Sequence, residues 1–187
     1  RALGGRSFLG DARSPEMQKQ LNLKVKYQGS FRLFAPYVLS EDASEWFGID
    51  SDSPYMLMVA SIKKDHRRQM AGDQNALFGI DKLNVQRSDI PAVTHVDYSD
   101  RIQTVHSGTH PKYHALITQF KELTSCPIIV NTSFNVRGEP IVCTPEDVFR
   151  CFLGANTELL LIGNVILHKE KRDPVLKQDY AQAFELD

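Results

Sequence analysis

Residues 127–142, PIIVNTSFNVRGEPIV, constrain the fold more than any other stretch of the chain. Ile128, Ile129 and Val130 are apolar and β-branched, which reads as a buried strand over Cys126–Asn131. The apolar pattern then gives way to Asn131, Thr132, Ser133, Asn135, Arg137, Gly138 and Glu139. A helix signal stands on either side. His110-Pro111 opens one, with Tyr113, Leu116, Ile117, Phe120 and Leu123 spaced as a single buried stripe. Thr144-Pro145-Glu146-Asp147 opens the other, placing Val148, Cys151, Phe152 and Ala155 on one face. A buried strand between two amphipathic helices calls for a sheet with helices packed on it.

The rest of the chain fits one α/β (α+β) domain around a twisted, mixed β-sheet with flanking helices. Ser14-Pro15-Glu16 has the cap, proline and acid of a helix start, and a short helix to about Asn22 is expected. Lys24–Leu39 alternates as an extended segment, and Ser40–Phe47 reads as a short helix ended by Gly48. Strands are expected at Tyr55–Ile62 and Ala92–Val96, with a long polar loop over Lys63–Asn84 between them. ELLLI and VILHK, joined across Gly163-Asn164, predict a terminal hairpin. A charged tail follows over residues 170–187.

Bulk properties exclude several functions. No apolar run approaches the ~20 residues of a membrane span, and no signal peptide is visible. Cys126, Cys143 and Cys151 lack metal-ligand spacing; Cys143 and Cys151 sit among apolar residues and are read as reduced core thiols of a cytoplasmic protein. A net charge of −1 argues against a broad nucleic-acid surface. The charge is nevertheless uneven: residues 1–32 carry seven basic side chains against two acidic ones. That is either a solvated surface or a local site for a small anion.

Four segments hold residues suited to such a site. In the strand-end segment, Asn131, Thr132, Ser133 and Asn135 offer donors and acceptors, and Arg137 offers a fork for phosphate or carboxylate. Gly138 permits close backbone approach. If the strand is of parallel type, these residues reach the carboxyl edge of the sheet, where open α/β folds bind ligands. An Asn- and Ser-rich turn that satisfies its own backbone accounts for the stretch equally well. In RALGGRS, Arg1 and Arg6 flank two glycines and can converge on one anion. Lys26 and Arg32 share a face of an extended KYQGSFRLFAP segment, whose Phe31 and Phe34 pack in the core or flank a base. In HVDYSDRIQTV, Arg101 and Gln103 share one face of a strand and Thr104 lies on the other. His95 and Asp97 are near enough for acid–base pairing, a pairing more often structural.

Taken in order, RALGGRS, SPEMQKQLN, FRLFAP, HVDYSDRIQTV and IIVNTSFNVRGEPIV resemble the C-terminal domain of the NodU/CmcH/TobZ-type carbamoyltransferases, from Arg1 to about Lys169. The resemblance implies a YrdC-like domain over residues 1–169 that makes carbamoyl-adenylate from carbamoyl phosphate and ATP with Mg²⁺. It also implies a partner: an N-terminal actin-like domain of the same full-length chain, which carries a metal and transfers the carbamoyl group to a hydroxyl acceptor. A chain that begins inside the family's G-P-R-A-L-G motif is expected to be part of something longer. By motif match, Arg1, Arg6, Lys26, Arg101 and Arg137 are the expected catalytic cations. Arg32, Gln103, Thr104, Asn131, Thr132, Ser133, Asn135, Gly138 and Glu139 are the expected substrate and nucleotide contacts. Two alternatives stand beside this: a YrdC-like nucleotide- or RNA-binding domain of the tRNA-modification type, and a non-catalytic interaction domain.

Overall fold

The longest helix shows how local signals set this architecture. In a computed structural model that describes residues 3–25, 34–70, 77, 85–171 and 173, this helix spans Pro111–Thr124. Proline occupies its first turn, and Ser125 ends it in a left-handed conformation, its N–H donating to the Lys121 carbonyl at 2.7 Å. Among the described residues the helices, in chain order, are α1 (Met17–Gln20), α2 (Ala43–Trp46), α3 (Pro111–Thr124) and α4 (Pro145–Gly154). The strands are β1 (Ser7–Asp11), β2 (Pro36–Leu39), β3 (Met58–Ser61), β4 (Ser99–Val105), β5 (Ile128–Ser133), β6 (Leu159–Ile162) and β7 (Val165–His168). The result is a mixed α/β fold. Among the described residues no helix is long and apolar enough to cross a membrane.

The chain forms two compact units: residues 1–18 with 33–132, and residues 19–32 with 133–187. The first is built on a sheet of order β1-β5-β2-β4-β3. β2 runs parallel to β4 and antiparallel to β5, and β3 runs antiparallel to β4. α3 covers one face, where Tyr37, Leu39, Met56, Val105, Tyr113, Ile117 and Ile129 form a core. The stripe on α3 is narrower than its spacing implies. Tyr113, Ile117 and Phe120 face the core, whereas Leu116 and Leu123 are exposed. At 100° per residue the latter two fall on the flank of the stripe, off the contact line.

Several expectations change here. On the β2 side β5 does not pair in parallel: it runs antiparallel to β2, from Val130 opposite Pro36 to Ile128 opposite Val38. Ala92–Val96 is not a strand. Thr94 donates its hydroxyl to the Ile90 carbonyl at 2.8 Å and pairs with Ser88 Oγ at 2.6 Å, and these local bonds hold a turn in place of a ladder. The strand expected at Tyr55–Ile62 shortens to β3 because Met56 takes φ +56°. Ser14–Glu16 forms a turn, so α1 begins at Met17 and passes into a π-helical turn over Leu21–Val25. Within the expected long loop, Lys64–His66 makes a 3₁₀ turn and His66 stacks on Trp46 at 3.8 Å; residues 71–76 and 78–84 lie outside the described set.

Asp100 is the chief anomaly of this unit. It lies in β4 opposite Ala60, is 1% exposed, and among the described residues has no hydrogen-bond partner on either carboxylate oxygen. Burial pushes its pKa well above the usual range, and nearby Asp97 adds to the shift. The folded state therefore holds this proton where the unfolded chain releases it, and stability falls as pH rises above the ordinary carboxylate range. Asp100→Asn, isosteric with the protonated acid, is expected to melt higher than wild type at pH 7, and the gap is expected to close towards pH 3.5. Parallel melting curves against pH would disprove this assignment.

The second unit is ordered by its caps. Thr144 Oγ1 accepts from the Asp147 N–H at 3.1 Å, and Asp147 accepts from the N–H groups of Thr144 at 3.0 Å and Cys143 at 3.2 Å. Those backbone bonds hold the Asp147 carboxyl below its usual pKa. They also leave Cys143 exposed at the helix entry, contrary to its expected place in the core; Cys126 and Cys151 are buried. At the other end of α4, Lys169 Nζ donates to the carbonyls of Phe152, Leu153 and Ala155, a cation on the negative end of the helix. β6 and β7 form the expected hairpin, with Gly163 at φ +58° in the two-residue turn. Residues 174–187 of the expected tail lie outside the described set.

Candidate functional site

The polar end of β5 begins where its pairing with β2 ends. Val130 is the last residue opposite β2, and Asn131 follows it, 7% exposed. Side chains alternate along a strand, so Asn131 lies on the same face as Ile129, towards α3. There its Nδ2 donates to the Tyr113 hydroxyl at 2.6 Å. The Tyr113 ring meets Tyr37 edge to face, with centroids 6.1 Å apart at 69°. Burial pushes the Tyr113 pKa further up from its already high value, so the phenol is neutral at physiological pH.

RALGGRS reaches the same tyrosine. Gly4 has φ +69°, and a Cβ there would lie 2.5 Å from Tyr113 Cδ2. Leu3 packs against the core that contains Tyr113. The opening motif and the strand-end motif, far apart in sequence, therefore meet on one side chain. Arg6, two residues beyond Gly4, is half-buried and held by a further interaction. Arg1 lies outside the described residues, as do Lys26 and Arg32. Of the two phenylalanines beside Arg32, Phe34 is buried and Phe31 is outside the described set.

β4 carries the third segment of this unit. Arg101, opposite Val59, is exposed and makes no ion pair among the described residues. Gln103 and Thr104 are both buried. Gln103 Nε2 donates to the Pro54 carbonyl, and Thr104 Oγ1 accepts from the Ser53 N–H at 3.0 Å. Ser53 Oγ donates in turn to the Ile102 carbonyl at 2.8 Å. These bonds bind residues 53–54 to β4. Asp97 accepts from the N–H and hydroxyl of Ser99 at 3.0 and 2.7 Å, which lowers its pKa, while burial lowers that of His95. Asp97 thus stabilises a turn, the structural role its position suggested.

In the second unit, residues 133–142 form a turn that satisfies itself. Ser133 Oγ donates to Asn135 Oδ1 at 2.6 Å. Asn135 Nδ2 donates to the carbonyls of Glu139 at 2.7 Å and Val136 at 3.1 Å. Glu139 Oε2 accepts from the Val136 N–H at 3.0 Å, and Gly138 turns the chain at φ +75°. Phe134, Val136 and Val142 are buried beneath the turn. Ser133, Asn135 and Glu139 therefore shape the loop that presents Arg137, which is half-buried and has further contacts of its own. Thr132 is also half-buried.

Sequence reasoning missed Tyr113 as part of the site, because a tyrosine on an apolar stripe reads as core. The available signal was chemical: a buried phenol needs a hydrogen-bond partner.

The chain matches the family model described as "Carbamoyltransferase C-terminus" over residues 1–169. It is 53% identical over 189 residues to the uncharacterized protein sll1178 of Synechocystis sp., covering 100% of this chain and 31% of that protein. It is 37% identical over 184 residues to the nodulation protein NolO of Bradyrhizobium diazoefficiens, covering 97% of this chain and 29% of that one. With the nodulation protein U of Sinorhizobium fredii it shares 36% identity over 138 residues, covering 74% and 21%. The chain spans less than a third of the length of these curated relatives.

Proposed function

The chain belongs to the carbamoyltransferase C-terminus family, and on that premise we propose that it forms carbamoyl-adenylate from carbamoyl phosphate and ATP. The observation that supports this most directly is the meeting of the Gly4 turn and Asn131 on Tyr113. It brings the Gly4 turn, with Arg6 two residues on, to the same side chain as an amide-bearing strand end, a combination suited to a ligand with both phosphate and neutral polar groups.

In this reading water hydrolyses carbamoyl phosphate, releasing phosphate and leaving carbamate. A carbamate oxygen then attacks the α-phosphorus of ATP and pyrophosphate departs. The nucleotide carries Mg²⁺ on its phosphates. In the first unit Arg1, Arg6 and Arg101 neutralise phosphate charge, and Asn131 and Thr132 orient the reacting groups; in the second, Lys26, Arg32 and Arg137 are phosphate-binding cations by motif match. Ser133, Asn135, Gly138 and Glu139 act by shaping the turn around Arg137, and Gln103 and Thr104 by holding β4. Preorganised charge carries the catalysis, without a covalent enzyme intermediate. Transfer to the acceptor hydroxyl belongs to an N-terminal actin-like domain outside this chain. The metabolites involved place the reaction in the cytoplasm.

Isothermal titration of the protein with carbamoyl phosphate, and separately with ATP and Mg²⁺, tests the reading. Both ligands are expected to bind with Kd below about 1 mM, the usual upper range for enzyme substrates. An absence of heat with either ligand would favour an interaction domain.

A further inference from the structure

We infer that Tyr113 is a positioning residue of this site: its hydroxyl fixes the amide of Asn131, and its ring seats the Gly4 turn, so one side chain aligns both ligand-facing motifs. The inference rests on the reading above for the ligand and on geometry for the positioning. Three constraints hold the ring: Tyr37 against one edge, Gly4 against its Cγ–Cδ2–Cε2 side, and the hydrogen bond at the hydroxyl. Asn131 is more than nine-tenths buried, and among the described residues its Oδ1 has no hydrogen-bond partner. With Nδ2 committed to Tyr113, the amide cannot rotate without breaking that bond. Its oxygen is thereby held as an acceptor for a neutral donor, such as the NH₂ of a carbamoyl group or of adenine. The phenol accepts from Asn131 and is neutral, so what the pair presents to the ligand is the amide oxygen, without charge.

Tyr113→Phe removes the hydroxyl and keeps the ring. It is expected to weaken binding of one of the two ligands about tenfold, the worth of one ordinary hydrogen bond. Carbamoyl phosphate and ATP titrated separately identify which ligand carries the donor. Asn131→Ala is expected to weaken the same ligand at least as much, and the double variant to match Asn131→Ala alone, because Tyr113 acts only through Asn131. A merely structural tyrosine would instead lower the melting temperature and leave the affinity of the folded protein unchanged. Additive losses, or unchanged affinity for both ligands in Tyr113→Phe, would overturn the inference. A ligand-free measurement separates it from the functional reading. The Asn131 side-chain amide protons are expected to exchange slowly in wild type and rapidly in Tyr113→Phe. If wild type bound neither ligand, the functional reading would fall while this exchange still decided the positioning; equal exchange in both proteins would end it.

Discussion

Gly4→Ala is expected to lower the stability of the protein by about 3 kcal/mol and to disrupt ligand binding with it. Two costs combine. At φ +69° an alanine bears the strain of the left-handed region, about 1–2 kcal/mol. The added methyl would also lie 2.5, 2.7 and 2.9 Å from three atoms of the Tyr113 ring, an overpacking that typically costs about 1–3 kcal/mol. Relief by moving the ring is blocked by Tyr37 and by the bond to Asn131. Gly10 offers a control. A Cβ there also meets a side chain, at 2.6 Å, but that contact is the sulfur of flexible Met17, and Gly10 needs no positive φ. Gly10→Ala should therefore cost clearly less. Urea denaturation reads the difference as a fall in midpoint at constant slope. Equal losses at the two glycines would show that the Gly4 turn is not seated on Tyr113.

Arg101→Ala is expected to do the reverse, sparing stability and removing activity. Arg101 is exposed and has no ion pair among the described residues, so its loss should change stability by no more than about 0.5 kcal/mol. The proposed function counts Arg101 among a preorganised set of phosphate-neutralising cations; on that proposal its removal should slow carbamoyl-phosphate-dependent ATP–pyrophosphate exchange about a hundredfold. Arg101→Lys should restore only part of that rate, because an ammonium cannot replace a planar fork. A variant that melts as wild type and exchanges at the wild-type rate would remove Arg101 from the site. The two substitutions thus separate a residue that builds the scaffold from one that acts on the ligand.

What could be read from the sequence depended on the range of the interactions involved. The start of α4 was legible because Thr144 and Asp147 cap each other within three residues. The β6–β7 hairpin was legible because Gly163-Asn164 demands a two-residue turn. The Ala92–Val96 segment misled because its apolar pattern suits a strand, while Thr94 and Ser88 make local bonds that pattern does not reveal. The strand-end motif was legible as polar and ambiguous in purpose. The self-satisfied turn is what Ser133, Asn135 and Glu139 make, while Asn131 is directed to Tyr113, a contact neither reading named.

The mixed α/β class, the family, the caps and the hairpin follow from the amino-acid sequence alone, because they rest on periodicity, motif order and hydrogen bonds between near neighbours. That β5 runs antiparallel to β2, that Leu116 and Leu123 face outward, and that Gly4 and Asn131 share Tyr113 can be seen only in the folded chain. Those outcomes depend on which surfaces pack together once the sheet has formed. Local spacing does not encode that choice, since it follows from burying the α3 stripe against one face of the sheet.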